Sequence, residues 1–336
     1  MGNIISENSL KSLSKSPKSK LNLGNKRRIK RIQRRSSIST AMTSTTTRSS
    51  ESTYRYIDGR RFNENAKYAL PNDDAEVDRL QLQHYLQRYV WQGNFCAPVH
   101  RSLSKPGARV LDVGCGPGTW ILEMAFDYPD AHFTGIDISP MYPKEIKPSN
   151  VNFEEADLTD GLPFADDTFD FVVMRNMVNA LSVDDWVFSL KELERVCKPG
   201  GFVECLEFQI PAVHLGKVSK RVTEAYVQIM RTKNIDITIA PRLEEMFATC
   251  TTLTNIEHQV RIAPVGKWGD KAGRIMAEDL LLITKAMGPV LTPLWGIGAR
   301  QYEEFTNESA KEFENGKTYC NLHVIYAQKY EPYRYI

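Results

Sequence analysis

Apolar residues fall into short, dense runs in the middle of the chain and recur at helical spacing on either side of it. Val110 to Val113 is a four-residue run, interrupted only by Asp112, that leads straight into Gly114-Cys115-Gly116-Pro117-Gly118. This predicts a strand, a tight turn and then a helix over Thr119 to Phe126. A second strand-like run, Ala131 to Ile136, ends at Asp137-Ile138-Ser139. Upstream, Val77, Leu80, Leu86 and Val90 lie at near-helical spacing and predict a helix from Asp73 to Trp91 that packs through those residues. Downstream, Pro241 to Cys250 predicts a helix with proline in its first turn. Ile256 to Ile262 and Tyr319 to Lys329 have strand character. Between them Lys271 to Met287 and Ala299 to Gly316 read as helices, separated by a run that Gly288, Pro289, Pro293 and Gly296 break.

The turn is the first candidate for chemistry. Without side chains, the backbone at Gly114, Gly116 and Gly118 can approach a ligand where a strand feeds a helix. The same glycines also satisfy a turn that merely needs positive φ. The strand before them, the helix after them and the acid at the end of the next strand favour a ligand pocket. A dehydrogenase fingerprint is the rival, since it also pairs a glycine turn with a ribose-binding acid. Its third glycine stands three residues after the second, whereas Gly118 follows Gly116 by two. These elements predict an α/β fold with an open, mainly parallel sheet, helices on both faces and a crevice at the carboxyl ends of the strands.

With Asp112, the three glycines form an acid-x-Gly-x-Gly-x-Gly pattern that resembles the first motif of class I S-adenosyl-L-methionine (SAM)-dependent methyltransferases. The likeness continues in order along roughly a hundred residues. Asn152 to Leu158 resembles the third strand with its adenine-side acid, and Leu162 to Asp170 the approach to the fourth. Phe171 to Met177 is that strand, Glu192 to Val196 the end of a helix, Lys198 to Gly201 a turn and Phe202 to Glu207 the fifth strand. More narrowly, Tyr54-Arg55-Tyr56, Gly59 to Phe62, the Asp73 to Trp91 segment and Gly135 to Pro140 are similar to fungal LaeA-like methyltransferases, some of which are linked to transcriptional control of secondary metabolism.

The resemblance implies a Rossmann-like sheet of seven strands with the last antiparallel, and SAM as cofactor. It implies that Asp137 takes the two ribose hydroxyls, with Ile138 beside it, and that Asp112 orients the amino-acid end of the cofactor. Asp157 would accept from the adenine amine and the Leu158 main chain would read the ring edge. Gly114, Cys115, Gly116 and Gly118 would cradle the ligand, and Arg175 and Asn176 would meet its methionine portion. Each has a plainer alternative: Asp137 or Asp157 capping a helix, Asp112 satisfying local donors, Arg175 reaching solvent. Glu204, Glu207 and His214 lie on or after the fifth strand, but no general base declares itself. Met276, Leu280, Leu281 and Met287 are candidates for an acceptor pocket as well as for ordinary core. The implied function is methyl transfer to a small-molecule or protein acceptor. The alternative is a SAM-binding regulator with little turnover.

Composition divides the 336 residues unequally. Residues 1–51 are rich in Ser and Thr, and the first fifty hold twelve Lys or Arg against the single acid Glu7. This is the composition of a disordered tail. With 43 basic and 41 acidic residues in all, 31 bases and 40 acids remain from residue 51 onward. A net-acidic body from 52 to 336 argues against a catalytic domain that grips nucleic acid through a basic field. Within it the reading places a core at about 92–210 and helical acceptor-side insertions at about 211–255 and 266–316. Met1 to Ser6 fits a myristoylation pattern on Gly2, and the basic cluster Lys26 to Arg35 supplies either a second anchor to an anionic membrane surface or a signal for an import receptor. Arg34-Arg35-Ser36-Ser37 resembles a basophilic kinase site. No apolar run is long enough to span a membrane. Cys96, Cys115, Cys197, Cys205, Cys250 and Cys320 are scattered without metal-ligand spacing, which fits reduced intracellular thiols, cytoplasmic or nuclear, and no metal.

Overall fold

The computed structural model describes residues 54–63, 68 and 70–331. The tail features at Gly2, Lys26 to Arg35 and Ser36-Ser37 lie outside them. Seven strands form one sheet: β3 (Arg109–Val113), β4 (His132–Asp137), β5 (Val151–Glu155), β6 (Phe169–Arg175), β7 (Cys197–Phe208), β8 (Thr254–Pro264) and β9 (Tyr319–Gln328). Their spatial order is β5-β4-β3-β6-β7-β9-β8. The pairs from β5 through β7 are parallel, and β9 enters between β7 and β8 antiparallel to both. The hairpin β1 (Tyr54–Ile57) and β2 (Arg60–Asn63) stands apart from that sheet.

Central strands buried on both faces need apolar residues at nearly every position. β3 and β6 meet this need with the runs Val110 to Val113 and Phe171 to Met174, all at most 1% exposed. Alternation sends Leu111, Val113, Val172 and Met174 to one face, where they pack with Trp186, Leu190 and Leu193 of helix α4 (Val183–Val196). Val110, Phe171 and Val173 face the other way, against Trp120, Ile121 and Met124 of α3 (Thr119–Asp127). Asp112 sits at a position of this second face, a carboxylate inside an apolar layer.

Other helices carry the remaining layers: α1 (Asp74–Trp91), α2 (His100–Leu103), α5 (Lys217–Thr232), α6 (Leu243–Cys250), α7 (Asp270–Ala286), α8 (Gly288–Trp295) and α9 (Ala299–Asn315). Asp73 caps α1 by accepting the Glu76 N–H at 3.1 Å. α6 packs on the sheet, with Leu243 and Phe247 fully buried beside Leu193 and Ile325. Of the segment 211–255, α6 thus belongs to the sheet layer, while α5 packs with the later helices. There α1 packs on α7, and α9 on α5 and α7.

Three local expectations change. The Gly288 to Gly296 run is helical: Pro289 occupies the first turn, where no N–H bond is lost, and Pro293, inside the helix, forgoes one bond near its end, where Gly296, at φ +62°, stops it. Lys198 to Gly201 is part of β7, not a turn before it; the Gly200 N–H bonds to the Lys329 carbonyl and the pairing with β6 shifts register there. The apolar spacing of α1 marks its inward face only in part: Leu86 and Val90 pack on one core cluster, but a polar stripe is buried beside them. Buried there are Glu76, Arg79, Gln83, His84 and Gln87, together with Leu86 and Trp91, while Val77, Leu80 and Val90 are half-buried. The polar stripe is buried because it borders the cavities of the candidate site.

Candidate functional site

The glycine turn leaves β3 beside the end of β4. Register pairs Asp112 with Gly135 and Val113 with Ile136, so the N–H groups of Gly114 and Cys115 both reach the Ile136 carbonyl at 2.9 Å. Gly114, Gly116 and Gly118 have φ of +71°, +54° and +76°, a region that other residues enter only under strain. A Cβ on Gly114 would lie 2.5 Å from Met177 Sδ, and one on Gly118 would lie 2.7 Å from Phe153 Cζ. Gly116 differs: a Cβ there would have only Leu80 within 4 Å, at 3.8 Å, since the residue fronts a crevice.

That crevice, about 840 Å³, runs along Gly114, Cys115, Gly116, Asp137, Ile138, Arg175 and Asn176. It continues into a recess of about 610 Å³ walled by Asp137, Ile138, Asp157 and Leu158. Nine of the eleven predicted binding residues are thus gathered in one continuous groove. The other two stand behind it: Gly118 at the N-cap of α3, and Asp112 beneath the turn, 1% exposed.

Asp137 ties the groove together. Its Oδ2 accepts the Gly116 N–H at 2.9 Å and its Oδ1 the Ser139 N–H at 2.8 Å. Each oxygen keeps a second lone pair for a ligand hydroxyl. Burial pushes its pKa up to about 6 despite those two bonds. Asp157 does cap the short 3₁₀ turn that follows it, but both the Thr159 N–H and the Thr159 hydroxyl bond to Oδ1. Its Oδ2 takes part in neither bond.

Asp112 is the anomaly. Neither carboxylate oxygen has a hydrogen-bond partner, and burial pushes its pKa up to about 7 against the pull of Arg175. An unpartnered buried carboxylate is costly, and a cationic or N–H-bearing ligand group would supply what it lacks. Arg175 is no solvent-facing side chain either. Its guanidinium lies 5.2 Å above the Trp120 ring, its Nε is also buried without a partner, and burial lowers its pKa. Asn176, at φ +61°, exchanges hydrogen bonds with Gln87 of α1.

The acids on β7, the fifth strand of the sequence reading, serve the backbone. Glu204 accepts the N–H groups of Cys96 and Ala97 at 2.8 and 2.6 Å, and Glu207 those of Met177 and Val178 at 2.7 and 3.2 Å. Burial raises them to about 7 and about 8. His214 is exposed. None offers a proton acceptor to the groove.

A second cavity of about 960 Å³ adjoins the groove and shares Tyr68, Leu80 and Asn176 with it. Met276, Leu280 and Met287 line this chamber as the sequence suggests, whereas Leu281 does not. Its polar edge was missed. Arg79 is bound by Glu76 at 2.8 Å and by Asp279 at 2.8 Å, and Gln83 donates to the other Asp279 oxygen at 3.3 Å. Nearby, His84 Nε2 sits 2.9 Å from Glu123 Oε2, and burial, helped by the Arg175 charge, lowers the imidazole to about 4. The readable signal was the polar recurrence Glu76, Arg79, Gln83, His84, Gln87 at helical spacing on a helix that exposes Tyr85 and Tyr89. Among the described residues no group of His, Cys, Asp or Glu could hold a metal ion, no helix is long and apolar enough to cross a membrane, and none of the six cysteines is in a disulfide.

Comparison with known proteins gives the following likenesses. A family model described as a methyltransferase domain matches residues 110–201. The methyltransferase pytC of Aspergillus terreus is 34% identical over 179 residues, which is 51% of this chain and 52% of that protein. A demethylmenaquinone methyltransferase of Staphylococcus aureus is 31% identical over 167 residues, 48% of this chain and 67% of that protein. The chain thus spans about half the length of the Aspergillus relative. Among solved structures, a phosphoethanolamine N-methyltransferase 2 from Haemonchus contortus in complex with S-adenosyl-L-methionine is similar at 16% identity and a TM-score of 0.43, covering 81% of this chain and 62% of that one.

Proposed function

Because the chain belongs to the class I SAM-dependent methyltransferases, we propose that it moves a methyl group from SAM to a small-molecule acceptor held in the chamber beside the groove. The observation that carries this reading is the Asp112 carboxylate, buried without a partner beneath three left-handed glycines. A ligand with an ammonium group next to a body that needs a side-chain-free wall fits both features. When bound, the cofactor supplies an electrophilic methyl group on a sulfonium.

The chain's own residues bind and orient. Asp112 and Arg175 would hold the amino-acid end, which carries one charge of each sign. Asp137 would accept from the ribose hydroxyls through its remaining lone pairs, and Asp157 Oδ2 from the adenine amine, with Ile138 and the Leu158 main chain against the ring. Asn176 stands where groove and chamber meet, so it would border both reactants. No carboxylate or imidazole on the chamber wall is unengaged: Asp279 is held by Arg79 and Gln83. This supports transfer driven by positioning and exclusion of water, to an acceptor that is already nucleophilic.

The narrower LaeA-like resemblance rests partly on Tyr54 to Phe62, a hairpin tied to α1 through the bidentate Arg60–Asp73 pair, at 2.6 and 2.9 Å. It supports a place in secondary metabolism. The test is tritium transfer from labelled SAM into a host lysate. Incorporation that disappears in Gly116→Arg supports the enzyme. Saturable SAM binding with no transfer would overturn catalysis in favour of a cofactor-sensing regulator.

A further inference from the structure

The chamber next to the groove is built for one kind of molecule. The space between its walls, about 960 Å³, includes a part open to solvent. Apolar side chains such as Leu80, Ile210, Met276, Leu280, Ile283 and Met287 make most of its wall. The charges on it are already arranged around Arg79, with Glu76 and Asp279 supplying two buried carboxylates to one guanidinium. That cluster is net negative by one charge, and burying an acidic ligand beside it would be strongly unfavourable.

Most polar groups on the wall are committed elsewhere. Tyr226 donates to Asn179 at 3.2 Å, Ser219 to Glu312 at 2.7 Å and Thr284 to the Leu280 carbonyl at 2.8 Å. Gln209, which follows β7, is different. Its Oε1 receives Asn321 Nδ2 at 2.8 Å and lies 3.2 Å from His323 Nε2, both from β9. The Asn321 donor turns the amide oxygen toward β9 and leaves the NH₂ end on the other side. His323 Nδ1 in turn lies 2.9 Å from His258 Nε2, and His258 Nδ1 lies 2.8 Å from the Glu244 carboxylate. The Gln209 N–H bonds to the Asn321 carbonyl at 2.9 Å, so the residue is held at both ends. What the side chain can still offer is its NH₂ group, two donors with no acceptor.

We infer that this chamber takes a neutral, mostly apolar small molecule and that Gln209 selects it by donating a hydrogen bond to an oxygen on that molecule. Calling the occupant the methyl acceptor rests on the methyltransferase reading; the ligand class rests on the chamber alone. Asn321 is the positioning residue for this contact.

Three naphthalenes of similar size test the inference on the full chain by calorimetry: 2-acetylnaphthalene, 2-naphthoate and 2-ethylnaphthalene. The ketone is expected to bind one-to-one, with naphthoate at least about a hundredfold weaker because its charge must be buried. Gln209→Leu should weaken the ketone roughly three- to tenfold and leave 2-ethylnaphthalene unchanged. Leu280→Trp and Ile283→Trp should each block all three probes while thermal unfolding shows the variant still folded. The inference is overturned if the ketone does not bind, if naphthoate binds as well as the ketone, if folded blocking variants still bind, or if Gln209→Leu weakens both neutral probes equally. S-adenosylhomocysteine is titrated separately. Ketone binding without homocysteine-adduct binding would sink the methyltransferase reading and leave the chamber's ligand class standing.

Discussion

Asp112 is pulled two ways: the sheet position it occupies is apolar, and the ligand proposed for the groove needs its charge. Folded pKa values of about 7 for Asp112 and about 6 for Asp137, with about 7 and about 8 for Glu204 and Glu207, all lie above the usual carboxylate range near 4. Below about pH 4 folded and unfolded chains are both protonated at these sites, and the contribution is nil. Between about pH 4 and 8 the unfolded chain has released protons that the folded chain retains, so stability falls as pH rises through that window and levels off above it. Thermal unfolding across the window should show this slope without ligand. A bound ammonium reverses the preference at Asp112 by favouring the carboxylate. S-adenosylhomocysteine affinity should therefore rise between pH 6 and 8, by at most about tenfold per unit, and Asp112→Asn should flatten that rise. An affinity that falls with pH in the parent protein would contradict the role given to Asp112. The glycines and acids were legible because their chemistry is local: positive φ, a strand end, a short spacing. The second function of Asp157, capping through Oδ1, was legible too, since a cap is also local.

At the scale of elements, α1 shows where local pattern stops being sufficient. Its extent could be read, and Asp73 stands at its N-cap. Its inward face could be read only in part, because the spacing of Val77, Leu80, Leu86 and Val90 assumes that the buried side packs on core. Here part of that side borders cavities, and that part is charged. Arg79 is 3% exposed between Glu76 and Asp279, at 1% and 0%. Arg79→Met would leave two buried carboxylates without their cation and should cost about 3–5 kcal/mol in urea unfolding. Tyr85→Ser on the exposed side should change stability by no more than about 0.5 kcal/mol. Comparable losses from both substitutions would contradict the burial of the charged stripe. The α8 segment teaches the complementary lesson: Pro289 costs no bond in the first turn, and a single lost bond at Pro293 does not break a helix that ends three residues later.

Across the whole molecule, the mainly parallel sheet was legible in the ordered run from Val110 to Glu207, whereas the spatial order of its strands was not. Nor was the chamber, since it depends on residues far apart in the chain. Arg79 and Asp279 are separated by 200 positions and Gln209 and Asn321 by 112, and no periodicity links them. The insertions were visible as helices and Met276, Leu280 and Met287 as candidates for a pocket wall, but only the folded packing shows that Leu280 faces the cavity while Leu281 turns away from it. Groove and chamber meeting at Leu80 and Asn176 is the arrangement on which donor and acceptor reading both depend. The most direct test of the central claim is calorimetric titration of the full chain with S-adenosylhomocysteine. The account predicts saturable one-to-one binding that Gly116→Arg abolishes, as a long side chain at that position would project into the groove. A well-folded parent protein that takes up no ligand, or a Gly116→Arg variant that binds it as tightly, would contradict the account.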